Sequence, residues 1–231
     1  MKFELPSLIH EGEALEVLSV FGAGGSKTVL DVSVGGLRRA IAIPNTTDPE
    51  EIRDAKWARA LEEPKYATFL RDNGLLVNPT YEVQEMSVNG DATEVLAMEP
   101  FSELPYQVYD GKDANKTWVD GPLSHLDSYE ELRSAIAGVA LDIKKLAELG
   151  VSLRSDSISF AFLPDGTMRL FLFDLDGMVI EGDEQEELEQ FYSRLVVNKL
   201  DNIFDYEQLK RFERQGYDFE VRQKLATQLV L

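Results

Sequence analysis

Two groups of residues in this 231-residue chain have the types and spacing for chemistry. The first is a glycine cluster, Gly22, Gly24 and Gly25, followed two residues later by Lys27. Glycine lets the backbone come close to a bound group, and a loop of this kind beside a cation suits a phosphate. The second is the apolar run "RLFLF", which ends abruptly in Asp174-Leu175-Asp176. A buried strand that delivers two carboxylates at its end carries a desolvation cost, which favours a working role for the pair. Each group also has a plain structural reading. Glycines serve tight turns, lysines are mostly surface residues, and acids can cap or turn a chain before a glycine such as Gly177. Other chemistries are limited by composition. The chain has no cysteine, so disulfides, thiolate metal sites and cysteine nucleophiles are excluded, and only His10 and His125 are available for histidine chemistry.

The elements that must position these residues follow from hydrophobic period and turn chemistry. "EVLSVFG" and "TVLDVSV" read as strands around the glycine cluster, and Gly35-Gly36 turns the chain into "RRAIAIP", which Pro44 ends. Asp48, Pro49 and Glu51 open a helix as N-cap, first residue and capping-box partner, with Ala55, Ala58 and Leu61 as its apolar stripe. Pro64 interrupts that helix, and a short helical piece closes at Asn73-Gly74. "TYEVQEM" and "TEVLAMEPF" form a hairpin at Asn89-Gly90. Near Asp127 the period changes. Leu132, Ile136, Val139, Ile143 and Leu146 recur at helical spacing, with Gly150 at the end. A hairpin around Pro164-Asp165-Gly166 precedes Asp174, and helical sequence continues from "DEQEELEQF" to Leu231.

The length suggests one domain with two lobes or two small domains, divided near "MEPFSELPY". An apolar fraction of 44% with 10% aromatics indicates a folded core. The net charge of −19 repels phosphate backbones, so nucleic acid and anionic membranes are not expected partners. It also means that a polyanion site must gather its cations locally. The N-terminal stretch lacks a signal-peptide pattern, and no run reaches the roughly 20 apolar residues of a membrane span. A cytoplasmic protein or a leaderless secreted effector is expected.

The order of elements from about Val17 to about Val197 resembles the protein kinase fold. The kinase set is a G-x-G-x-x-G-x-V loop, V-A-I-K, H-R-D with an Asn five residues past the Asp, and D-F-G. Here the loop reads Gly22-Ala23-Gly24-Gly25-Ser26-Lys27-Thr28-Val29, and Ile41-Ala42-Ile43 leads to Pro44 where the lysine belongs. The with-no-lysine kinases also lack the strand lysine and carry one in the glycine loop before Thr-Val, and "SKTV" resembles that arrangement. The resemblance implies an α+β, two-lobed fold. Its N-lobe, residues 1–102, would hold an antiparallel five-stranded sheet and one helix; its C-lobe, 103–231, would be short and mainly helical. It further implies ATP and Mg²⁺, with Lys27 on the phosphates and Glu62 or Glu63 as its carboxylate partner. Met98 would border the adenine, Glu99 to Phe101 would offer backbone groups to the base, Asp174 would hold the metal, and Asp176 would assist.

The catalytic loop departs most from the pattern. Placing Arg154 at the Arg of H-R-D puts Leu153 at the histidine and Ser155 at the catalytic Asp, with Asp156 one residue late. In either register the metal-binding Asn is replaced, by Phe160 or Ala161. Three functions follow as expectations. The first is a pseudokinase with impaired phosphoryl transfer that binds nucleotide, another protein, or both. The others are an active atypical kinase using Lys27, Asp156 and Asp174, and a small-molecule phosphotransferase.

Overall fold

The computed structural model describes residues 5–45, 47–109, 128–180 and 185–201, together with Lys210 and Arg214. They fall into two compact units. The first contains the chain up to Leu104 together with Phe173–Gly177, and the second contains Pro105–Leu172 and the chain from Met178 onward.

The first unit is built on antiparallel pairing set by tight turns. Strand β1 (Leu8–His10) turns through Glu11 and Gly12, both at positive φ, into β2 (Glu13–Ala23). β3 (Lys27–Val34) joins β4 (Leu37–Pro44) through Gly35-Gly36 at φ 58° and 84°, the left-handed pair of a two-residue hairpin. Helices α1 (Glu50–Ala60) and α2 (Glu63–Asp72) follow. Next come the short β5 (Leu76–Val77) and the hairpin of β6 (Tyr81–Val88) with β7 (Asp91–Met98), turned at Asn89-Gly90. The expected antiparallel five-stranded sheet is corrected to a closed six-stranded barrel of order β1-β2-β3-β4-β7-β6. The sixth strand causes the closure: Leu8 pairs with Leu15 of β2 on one side and Val88 of β6 on the other. Two irregularities in the β2–β3 register leave Leu18 and Phe21 without ladder partners, and both side chains are exposed. Such bulges sharpen the local twist, which helps a sheet curl on itself. Leu8, Leu30, Val32, Ile41, Ile43, Met86, Val95 and Ala97 form the core.

The one helix that the resemblance implies is two, as the interruption at Pro64 and the short helical piece after it predict. Leu61 and Glu62 separate them, and Pro64 lies in the first turn of α2, where its missing N–H costs nothing. The predicted cap and stripe of α1 also differ. Pro49 is the N-cap residue, Asp48 binds Lys56 Nζ at 2.6 Å instead, and the buried residues are Trp57 and Ala60, with Ala55 and Ala58 exposed. The Trp57 indole explains the choice of face, because its large ring is buried while its N–H reaches the Glu94 carbonyl at 3.1 Å.

The second unit contains strands as well as helices. α3 (Tyr129–Glu148) starts at a capping box of Ser128 and Glu131 and buries Leu132, Ile136, Val139, Ile143 and Leu146, the predicted stripe. β10 (Ile158–Phe162) pairs with β11 (Met168–Leu172) around the Pro164-Asp165-Gly166 turn, and on its other side with β8 (Gln107–Tyr109). β9 (Val151–Ser152) pairs with β12 (Val179–Ile180), and α4 (Gln185–Asp201) packs on α3. The period change near Asp127, His125 and the helical sequence expected from 202 to Leu231 lie outside the described residues, apart from Lys210 and Arg214. α3 is fastened to β11 by Asp142, which accepts three bonds from the Arg169 guanidinium and one from the Leu170 amide at 2.8 Å.

Helix and strand approach closely at Gly138. A Cβ there would stand 2.5 Å from the Met168 carbonyl oxygen and 2.7 Å from Arg169 Cδ. Gly138→Ala gains up to about 1 kcal/mol of helix propensity, yet overpacking against a strand backbone costs about 1–3 kcal/mol. A net loss of stability is expected in urea unfolding. A midpoint that rises, as propensity alone dictates, contradicts the close packing.

Candidate functional site

The first unit gathers the predicted phosphate and metal residues around one buried ammonium. Lys27 is the first residue of β3, and its ladder partner on β4 is Pro44. Residues paired across adjacent strands project to the same face of the sheet. Lys27 and Pro44 therefore lie on the same face of the sheet, on neighbouring strands. Lys27 is 7% exposed and bonds two carboxylates, Glu63 Oε1 and, at 2.7 Å, Asp174 Oδ1. Burial pushes the Lys27 ammonium down, but Glu63 and Asp174 outweigh it and hold the group above its ordinary value.

Glu63 is fully buried and satisfied on its second oxygen as well. Oε2 accepts from the Tyr81 hydroxyl at 2.8 Å and from the Leu175 amide at 3.1 Å. Burial, and then the neighbouring Glu63 carboxylate, pushes the Tyr81 phenol well up, so it stays a donor. Of the two glutamates proposed as the lysine's partner, Glu63 therefore fills the place. Glu62 lies one residue earlier and pairs with Lys65 on the surface. Pro64 lies in the first turn of the helix that carries Glu63 inward.

Asp174 stands at φ +53°, in the left-handed region where a non-glycine residue is strained. The 3-10 turn Leu175–Gly177 follows and packs on α1 and α2. Asp176 accepts from Ser26 Oγ at 2.7 Å, tying the turn to the glycine loop. One carboxylate oxygen each of Glu63, Asp174 and Asp176 lies within 4.8 Å of the others. These are hard oxygen donors of the kind Mg²⁺ takes. Glu63 is already committed to Lys27, Tyr81 and Leu175, which leaves Asp174 and Asp176 as the better-fitting pair.

The glycine loop is held by side chains that sequence reasoning missed. Asn45 Nδ2 donates to the Gly24 carbonyl at 2.6 Å, and Lys56 Nζ donates to that of Gly25 at 3.2 Å. Gly22 pairs with Val29 in the β2–β3 ladder, and the Gly24 amide donates to the Lys27 carbonyl at 2.9 Å. Neither Gly24 nor Gly25 has a positive φ, and an added Cβ would meet nothing nearer than 3.8 Å and 3.9 Å respectively. The turn itself does not demand glycine there. No sequence signal singled out Lys56, because an exposed helical lysine is the commonest kind.

The segment proposed to meet a base has a different geometry from the expected one. Met98 is buried at the end of β7, between Ala40 and Tyr81 in the ladder. Asn78, itself 2% exposed, accepts from the Glu99 amide at 3.2 Å and donates to the Glu99 carbonyl at 2.7 Å. Phe101 begins a 3-10 turn, its ring edge-on to Phe173 at 5.6 Å.

In the second unit, Ser155 and Asp156 lie in a 3-10 turn, both exposed, with Arg154 Nε 3.6 Å from the Asp156 carboxylate. The segment before them is fixed from α4. The Tyr192 hydroxyl, pushed up by burial, donates to the Val151 carbonyl at 2.7 Å and accepts from the Leu153 amide at 3.0 Å. Phe160 and Ala161 are fully buried in β10, so neither register supplies a metal ligand at the asparagine position.

No protein-family model and no curated protein matches the chain. Among solved structures it is similar to the ROP18 kinase domain in complex with AMP-PNP and sucrose. The two are 15% identical, with 98% of this chain and 77% of that chain covered, at a TM-score of 0.52. At that identity the likeness concerns the fold, and the fold is protein kinase-like. Among the described residues, no helix is long and apolar enough to cross a membrane.

The ammonium cluster makes a stability prediction with a defined pH window. Lys27→Met leaves Glu63 buried without its cation, a change that costs about 3–5 kcal/mol when a buried pair is broken. Because the folded Lys27 value lies above the ordinary 10.5, its contribution is complete below that pH and is lost as pH rises through the folded value. Burial already raises the Glu63 carboxyl, and without Lys27 nothing opposes that shift, so the variant takes up a proton there as pH falls. Denaturant unfolding should show a gap between wild type and variant that shrinks on the acid side as Glu63 protonates and again above the ordinary lysine value as Lys27 loses its proton; a gap that stays the same at every pH rules the charged cluster out.

Proposed function

We propose that this chain is a pseudokinase: a kinase-like protein that binds a nucleotide as its Mg²⁺ complex and acts by contacting another protein, with phosphoryl transfer absent or very slow. The observation that carries the reading is Lys27, buried opposite Pro44 and held by Glu63 and Asp174. A scaffold without a ligand gains little from burying an ammonium with its carboxylates, since apolar replacement of such groups is often neutral or stabilising. The arrangement is that of the with-no-lysine resemblance, and the solved neighbour carries a nucleotide analogue.

Charge decides how a phosphate would enter. Three carboxylates surround one ammonium, so a free polyphosphate meets net repulsion there. A divalent cation held by Asp174 and Asp176 would reverse that sign and supply charge neutralisation on the phosphates. Lys27, released from Asp174 by that exchange, is then free to face the phosphates, with Lys56 beside the loop as a second cation. Gly24 and Gly25, not required by the turn, leave room for the close approach.

Transfer itself lacks parts. The asparagine position holds buried Phe160 or Ala161, and serine stands in one register of the catalytic aspartate. Loss of a single positioned charge-stabilising group commonly costs on the order of 10²–10³ in rate, and here two are altered. The expected outcome is Mg²⁺-dependent ATP binding that Asp174→Asn abolishes. Gly25→Ala should fold like wild type yet bind more weakly, while Arg39→Ala should change little. Radiolabelled transfer to self, generic protein and small cationic acceptors is expected to stay at background. Robust turnover that Asp156→Asn abolishes would instead establish an active atypical kinase, and turnover confined to a small acceptor a phosphotransferase. Absence of Mg·ATP binding would remove the nucleotide part of the reading.

A further inference from the structure

We infer that Ser26 is a positioning residue of the proposed metal site and couples metal binding to the order of the glycine loop. This rests on the metal part of the proposed function and deepens it. Asp176 stands where the kinase pattern has glycine, so the pattern includes no group to aim its carboxylate. Ser26 aims it here. Its Oγ donates to Asp176 Oδ2 at 2.7 Å, the short distance of a hydroxyl bonded to a charged carboxylate. A carboxylate has about four lone-pair sites, so one hydroxyl orients it and leaves places for a cation. The bond directs Asp176 without closing it.

Both ends of that bond are held. Every carbonyl from Gly24 to Lys27 accepts a hydrogen bond. Those of Gly24 and Gly25 accept from Asn45 Nδ2 at 2.6 Å and Lys56 Nζ at 3.2 Å. Those of Ser26 and Lys27 accept from the Asn45 amide at 3.1 Å and the Gly24 amide at 2.9 Å. The loop thus presents the Ser26 hydroxyl from a braced frame. On the other side, the turn Leu175–Gly177 packs on α1 and α2, and the Leu175 amide is bonded to Glu63. A metal ligand whose own partner is fixed needs less ordering when the ion arrives. When Lys27 gives up Asp174 to the metal, Ser26 still ties the loop to the turn. Metal affinity and loop order are then linked, and each must favour the other.

The test titrates the full chain, without nucleotide, with Mn²⁺ followed by electron paramagnetic resonance; Mn²⁺ shares the preference of Mg²⁺ for oxygen ligands. The site is the binding that Asp174→Asn removes, which separates it from diffuse binding to a chain of net charge −19. Ser26→Ala is expected to weaken that binding by about 10- to 100-fold, and Ser26→Thr, which keeps the hydroxyl, to restore most of it. At matched occupancy, the metal should slow hydrogen exchange of residues 24–27 in the wild type and not in Ser26→Ala. Equal or tighter Mn²⁺ binding by Ser26→Ala, or the same loop protection in both, would overturn the inference while leaving the metal site standing. If no binding is lost in Asp174→Asn, the metal part of the proposed function fails and this inference falls with it.

Discussion

The arrangement of the first unit depends on one ammonium group kept out of water. Lys27 can be buried only because Glu63 and Asp174 neutralise it, and Glu63 can be buried only because Lys27, Tyr81 and the Leu175 amide use both of its oxygens. Those contacts join β3, α2, β6 and the segment after β11. Each element thus has its position constrained by a partner in the same charge cluster. The strained backbone at Asp174 fits this picture, since a left-handed aspartate persists where surrounding bonds over-determine it.

Pro44 ends β4 with no N–H to donate, and the residue paired with it across the ladder is Lys27. Paired positions on adjacent strands share a face, so a charge at either one would reach the same side of the sheet. On the proposed nucleotide reading, Lys27 takes the part that the strand lysine plays in the kinase pattern.

Much of the fold could be read from turn chemistry and period. Gly35-Gly36, Asn89-Gly90 and Pro164-Asp165-Gly166 fix their hairpins locally, and the α3 stripe is a clean helical repeat. Barrel closure was not legible. β1 is three residues long, and its pairing with β6 joins residues about eighty apart, which no local pattern encodes. At the site, Lys27 and Asp174 were legible because glycine clusters and acids ending apolar strands are unusual. Choosing Glu63 over Glu62 was not, because it depends on a helix restarting at Pro64, and a proline reads equally well as a stop or a first turn. Tyr81 and Asn78 were invisible for a similar reason: each matters through a bond to a distant residue, not through its neighbours in sequence. Gly24 and Gly25 show the opposite case, a turn-like motif whose turn does not need its glycines.

The first unit is also discontinuous in the chain, since Phe173–Gly177 belongs to it while the 68 residues Pro105–Leu172 do not. During synthesis the barrel strands are complete once Met98 has emerged, but Asp174 and the Leu175 amide are then still to be made. Lys27 and Glu63 must wait with only each other and Tyr81 until translation has passed the whole of α3 and the β10–β11 hairpin. At roughly 5–20 residues per second that interval lasts on the order of several seconds. The nascent barrel therefore carries its charge cluster incomplete through that time, and the site is finished only when a late segment of the chain returns to an early one.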